Sequence, residues 1–165
     1  MDIISHGLWG SLVFGRKNKL TFLIAFLIGI APDLFSFGFY TLLTWLGIEQ
    51  RLDWASGVPP MSLIPAYIHL LYNITHSLII FIIIFALVWL IARKPVWIML
   101  AWLLHIIIDI FSHSLEFFPT PFLWPLSDYV FNGIMWGNPY IFFPNWILLL
   151  ILFIHFSLSK LRHKA

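Results

Sequence analysis

The sequence predicts an all-α membrane protein: one integral domain over residues 1–165, with about four spans, a short N-terminal helix ahead of them, and one span broken at Pro32-Asp33. Three observations predict it. Hydrophobic residues make up 61% of the 165 and charged residues 10%, where an ordinary soluble domain carries about 25% charged. Apolar runs of about 20 residues, the length that crosses a bilayer, recur along the chain. The basic residues gather in short clusters at the ends of those runs, which reads as a topology signal rather than a nucleic-acid footprint. There is no cysteine, so disulfides and thiolate metal sites are excluded.

The first element, Ile3 to Phe14, is too short to span and is expected either in the core or at the interface. Its Gly7, Gly10 and Ser11 suit close helix contact. Met1 to His6 lacks the basic start of a cleavable signal peptide and is expected in the mature protein. Leu20 to Leu46 is long enough to cross, but Pro32 removes a donor and crowds the preceding turn, so a kink or stop at Ala31 is expected. Such a break is tolerated in lipid where protein or a wet cavity covers it, which would turn Asp33 inward. Ala66 to Ala92, Pro95 to Ser114 and Tyr140 to Ser159 are the remaining candidate spans.

Arg16, Lys17 and Lys19 lie in one connection, Arg93 and Lys94 in a second, and Lys160, Arg162 and Lys164 in the tail. Alternating spans put these eight on one side with Arg51 opposite, which makes their side cytoplasmic. The outer loops are then roughly 47–65 and 115–139, rich in Pro, Trp and Tyr as headgroup-level segments are.

Seven titratable side chains interrupt this apolar chain: His6, Asp33, His69, His76, His105, Asp109 and His113. An ionisable residue at bilayer depth points to function by default, and His with Asp is the ligand chemistry of a zinc-like divalent cation. His105, Asp109 and His113 recur at i, i+4 and i+8, on one helix face. At ~1.5 Å per residue from the cytoplasmic charges, His6 and His105 come about 15 Å up, Asp33 and Asp109 about 20 Å, and His76 about 24 Å. Five residues from four separate elements thus share one slab. The plainer reading of each is a His–Asp hydrogen bond between helices, or for Asp33 a proton-relay or capping carboxylate. His69, nearer the outer surface, reads as hydrated; His155 and His163 read as interfacial.

Ser5-His6-Gly7, Ala31-Pro32-Asp33-Leu34, Thr75-His76-Ser77 and His105-x-x-x-Asp109, followed by Thr120-Pro121-Phe122-Leu123-Trp124-Pro125, together resemble the YdjM-like inner-membrane metal-dependent hydrolases from His6 to about Ser127. The resemblance implies His6, Asp33, His76, His105 and Asp109 as the metal set, and a phospholipase-like activity. Two departures stand out. Phe35 occupies the place of a second carboxylate, and Leu71-Tyr72-Asn73 replaces His-Arg-Gly. A two-metal site is therefore in question, with His69 or His113 as replacement ligands.

The function expected is hydrolysis of an ester or phosphoester of a lipid-like substrate, in a bacterial or archaeal inner membrane and toward its outer half. A divalent metal, zinc or else manganese, would activate water, and Asp33 and His76 would carry catalytic roles beside the metal. The loop from Phe117 to Tyr140 would anchor at the headgroups or cover the site. The alternative is a non-catalytic protein: a metal or proton carrier, or a pseudoenzyme. Carriers commonly show repeated broken helices, and no repeat is evident.

Overall fold

The computed structural model describes residues 1–53 and 59–162. Within them the chain is all-helical, with an isolated bridge between Ser114 and Phe117. Helix α1 spans Ile3–Phe14, capped by Asp2, whose carboxylate accepts from the Ser5 amide at 3.0 Å. It is a core helix: Ser5, His6, Gly7, Gly10, Ser11 and Leu12 are buried, and it packs against α2 (Lys19–Asp33), α6 (Leu100–Ser112) and α7 (Pro139–Arg162). Glycine makes the α1–α2 approach possible. A Cβ on Gly29 would stand 2.7 Å from the His6 carbonyl oxygen, and one on Gly10 2.9 Å from that of Ala25. The α1–α7 contact is polar at its centre. Trp9 Nε1 donates to Asn145 Oδ1 and Asn145 Nδ2 to Ser5 Oγ, both at 2.8 Å, the kind of bond that joins helices where lipid offers no hydrophobic drive.

The helix does not stop at Ala31, and the sharp bend of more than 40° lies elsewhere. Helix α2 runs through Pro32, widens into a π-helical turn at Leu34–Gly38, and continues as α3 (Phe39–Trp45); Lys19–Trp45 is one 27-residue apolar helix. The wider turn absorbs the proline. Ser36 Oγ donates to Pro32 O at 3.0 Å and Thr75 Oγ1 reaches the same carbonyl at 3.3 Å.

The break lies instead between α4 (Ala66–Thr75) and α5 (Leu78–Ala92), which meet at 58° across His76-Ser77. Ser77 starts α5 as its N-cap, accepting from the Ile79 and Ile80 amides at 3.1 and 3.2 Å, a role serine performs well. The Leu78 amide donates to Phe122 O at 2.9 Å, and Ser77 Oγ donates to Trp124 O. The loop after α6 therefore satisfies the backbone that the break frees, the condition for irregular backbone at membrane depth.

Helix lengths give fewer spans than four. Lys19–Trp45 and Pro139–Ser159 are long and apolar enough to cross a membrane, and α4 with α5 makes a third if the bent pair is one span. Helix α6 has 13 residues after a three-residue 3₁₀ turn at Trp97–Met99. At ~1.5 Å per residue its α-helical part reaches about 20 Å, short of a ~30 Å hydrocarbon core. It ends at Ser112 because the following loop doubles back. Gly133, Ile134 and Trp136 amides cap the His113, Phe111 and Ser112 carbonyls at 2.9, 3.0 and 2.9 Å. Above the site, Tyr40, Ile64, Ile68, Tyr72 and Phe118 form the buried apolar cluster.

Candidate metal centre

Four side chains from α2, the α4–α5 break and α6 converge: Asp33, His76, His105 and Asp109 each present one ligand atom, all within 4.8 Å of one another. His76, His105 and Asp109 are buried, and the Asp33 side chain is 15% exposed. Asp33 is carried at the last turn of α2 because that helix passes Pro32 intact. His105 and Asp109 meet the same point as i, i+4 neighbours. His76 ends α4, its amide donating to Tyr72 O at 2.9 Å, so the bend itself aims the ring inward.

Hydrogen bonds fix which nitrogen faces the centre. His105 Nδ1 lies 2.7 Å from Gly29 O, and His76 Nδ1 lies 3.1 Å from Tyr72 O. A carbonyl only accepts, so in the neutral rings both Nδ1 atoms carry the proton and both Nε2 atoms turn lone pairs inward, as in metal-ligating histidines. Tyr72 stacks on His76 with ring centroids 3.8 Å apart. Thr75 Oγ1 lies 3.0 Å from His76 Nδ1, whereas Ser77 turns to the Trp124 carbonyl.

The spacing fits a tetrahedral ion. Zinc held at about 2.0–2.1 Å by four ligands sets ligand–ligand edges near about 3.3 Å. His76 Nε2 stands 3.0 Å from His105 Nε2, 3.6 Å from Asp33 Oδ1 and 3.5 Å from Asp109 Oδ2; His105 Nε2 stands 3.8 and 3.2 Å from the same two oxygens. Asp109 Oδ2 is buried without a hydrogen bond among the described residues, an expense that buried polar atoms rarely carry. The group could therefore bind a metal ion.

His6, the fifth residue of the expected set, stands at the edge of the four. Its Nε2 is 2.9 Å from Asp109 Oδ1, on the carboxylate's other oxygen, and its ring stacks on His105 at 3.7 Å. His113 is also present, Nε2 3.4 Å from Asp109 Oδ1. His69 is not: its ring stacks on Phe118, and Nε2 lies 3.2 Å from Met61 O. His155 is exposed on α7, and His163 lies outside the described residues. The Met1 amino group, which donates to Asp109 Oδ1, and the carbonyls of Gly29, Tyr72 and Phe118 left no sequence signal.

A cavity of about 530 Å³ leads to the centre. Asp33, His113 and Met1 line it together with Asp2, Arg51 and Trp136. A second, wholly apolar cavity of about 450 Å³ lies between α2, α4 and α6 behind Pro32 and Thr75. Phe35 is 64% exposed and borders this second cavity, not the first. Position 35 therefore turns away from the ligand cluster. Comparison with protein-family models, curated proteins and solved structures finds no match to this chain.

Proposed function

We propose that the protein is a membrane-embedded metal-dependent hydrolase, with zinc or else manganese held by Asp33, His76, His105 and Asp109, acting on an ester or phosphoester of a lipid-like substrate. The observation that carries the reading is the pair of inward lone pairs at His76 and His105, with two carboxylates beside them and a cavity reaching one of those carboxylates. A divalent cation here would acidify water and polarise the bond under attack. Asp33 is suited to the proton transfer. Its Oδ1 faces the histidines, its Oδ2 is left to accept a proton, and its side chain lines the cavity. His76 and His105 hold their tautomers through Tyr72 and Gly29 and keep the inner wall dry, which strengthens every charge interaction in the site.

Arg51 on the cavity wall supports a phosphoester. It has no ion-pair partner among the described residues, and guanidinium suits phosphate oxygens. The basic clusters at Arg16–Lys19 and Arg93–Lys94 support an orientation with the cavity toward the outer half of an inner membrane. The YdjM-like resemblance points to the same chemistry.

The test is metal content and turnover together. Purified wild type should retain zinc or manganese and cleave a phospholipid or a lipid carboxyl ester, and His105→Ala should lose both. A folded wild type that takes up no divalent metal would sink the reading. Metal without turnover of either lipid class would leave a carrier or pseudoenzyme.

A further inference from the structure

We propose that the basic end of the bundle, remote from the metal centre, binds the headgroup of an anionic phospholipid in a cavity between α1, α2 and α7. The cavity has a volume of about 380 Å³ and lies where α1 passes into α2, at the opposite end of α1 from His6. Leu12, Phe22, Phe153 and Phe156 form its apolar part; Arg16, Ser157 and Ser159 form its polar part. A cationic, hydroxyl-bearing rim over an apolar floor matches a phosphate with acyl chains attached, and basic pockets between membrane helices take such headgroups.

The charge at this end is uncompensated. Arg16, Lys17 and Lys19 fall within four positions, and none of the seven acidic residues lies in 3–32 or 129–165. Helices α1 and α7 therefore carry no carboxylate, and α2 carries only Asp33, at its far end. Arg16 has no ion-pair partner among the described residues. Its guanidinium instead stands 4.4 Å over the centre of the Phe156 ring. That contact occupies the flat face of the guanidinium and leaves its N–H edge to donate, which suits phosphate oxygens. The α2 N-terminus is not the attraction, since Asn18 already caps it. Ser159 Oγ already donates to Phe156 O at 3.1 Å, so the exposed Ser157 is the hydroxyl left for a ligand.

Depth favours a lipid over a soluble anion. Lys19 begins one of the two membrane-length helices and Ser159 ends the other, so the rim lies where hydrocarbon gives way to headgroups. At ~1.5 Å per residue, Phe153 is about 9 Å deeper than Ser159, and Phe22 about 5 Å deeper than Lys19. These two rings meet edge to face with centroids 6.1 Å apart. A phosphate beside Arg16 leads its acyl chains down past them.

Native mass spectrometry of the delipidated full chain, with phosphatidylglycerol or phosphatidylcholine of the same acyl chains, tests the site. Wild type should hold phosphatidylglycerol at least about tenfold more tightly, and Arg16→Gln should weaken it by about fivefold or more. Lys17→Gln should weaken it less, and inorganic phosphate should not displace it. Phosphatidylglycerol with a photoreactive acyl chain should label wild type within residues 153–159 or at Phe22. Equal retention of the two lipids would overturn the site. Equal losses in Arg16→Gln and Lys17→Gln would overturn it in favour of diffuse surface charge, and displacement by inorganic phosphate in favour of a free anion. Labelling confined to other helices would overturn its location, and that measurement stands on wild type even if Arg16→Gln does not fold. None of these readouts depends on metal or turnover.

Discussion

His76 Nε2 and His105 Nε2 face each other 3.0 Å apart in the buried centre. Each ring has its Nδ1 committed to a backbone carbonyl, so two neutral rings would oppose lone pair to lone pair. A shared cation removes that repulsion, and the carboxylates of Asp33 and Asp109 on either side balance its charge. A shared proton is the competing occupant, and the two differ in what they predict for added metal.

Zinc should stabilise the wild type measurably. At a free concentration about a hundredfold above Kd, binding to the folded state alone adds about 2.7 kcal/mol. Thermal unfolding in detergent should therefore rise with zinc and fall back with chelator. In His105→Ala and Asp109→Asn the zinc response should vanish. An unchanged melting curve for wild type would favour the shared proton.

Gly29 links the helix contact to the centre. Its missing Cβ lets the His6 carbonyl approach, and its own carbonyl accepts from His105 Nδ1. Gly29→Ala would force a methyl to 2.7 Å from backbone, an overpacking that costs about 1–3 kcal/mol. Zinc affinity should fall as well, because the α1–α2 separation carries the His105 acceptor with it. Gly137→Ala, with nothing within 4 Å of the added methyl, is the control and should leave melting and zinc binding unchanged.

The convergence of the ligands was legible in the sequence because depth is a nearly linear function of residue number in a helix. The charges at Arg16–Lys19 and Arg93–Lys94 gave a common origin for α1, α2 and α6, and His6, Asp33, His105 and Asp109 fall together from it. The bend was misplaced for a local reason. Pro32 signals a break from its own chemistry, yet a π turn can absorb it. The true break, at His76-Ser77, is sustained by acceptors at Phe122 and Trp124, more than 40 residues away in the chain. His113 could be placed on the ligand face by its i+4 spacing from Asp109, but its tautomer depends on Phe118 O, which no spacing rule supplies.

Ser77→Ala should loosen the bend. It removes the cap from the Ile79 and Ile80 amides and the donor to Trp124 O. Loss of a serine cap costs about 1 kcal/mol, and the loop carbonyl adds to it. Hydrogen exchange should quicken in the first turn of α5 and in residues 122–126, with α7 unaffected. Uniform quickening across all helices would mean that the cap is not a local fastener.

Arg51→Gln separates phosphoester from carboxyl-ester chemistry. Arg51 shares the cavity with Asp33 but is no ligand of the centre, so metal content should stay at the wild-type value. A hydrogen bond to a charged group contributes about 1.5–3 kcal/mol, so KM for an anionic phospholipid should rise at least about tenfold. For a neutral lipid ester of equal chain length KM should be unchanged, since that substrate offers the guanidinium no anion. Lysine at the same position restores charge without the planar fork, and Arg51→Lys should recover part of the phospholipid affinity. Equal losses on both substrates would instead place Arg51 in the architecture of the cavity mouth, and the phosphoester preference would then have no residue to carry it.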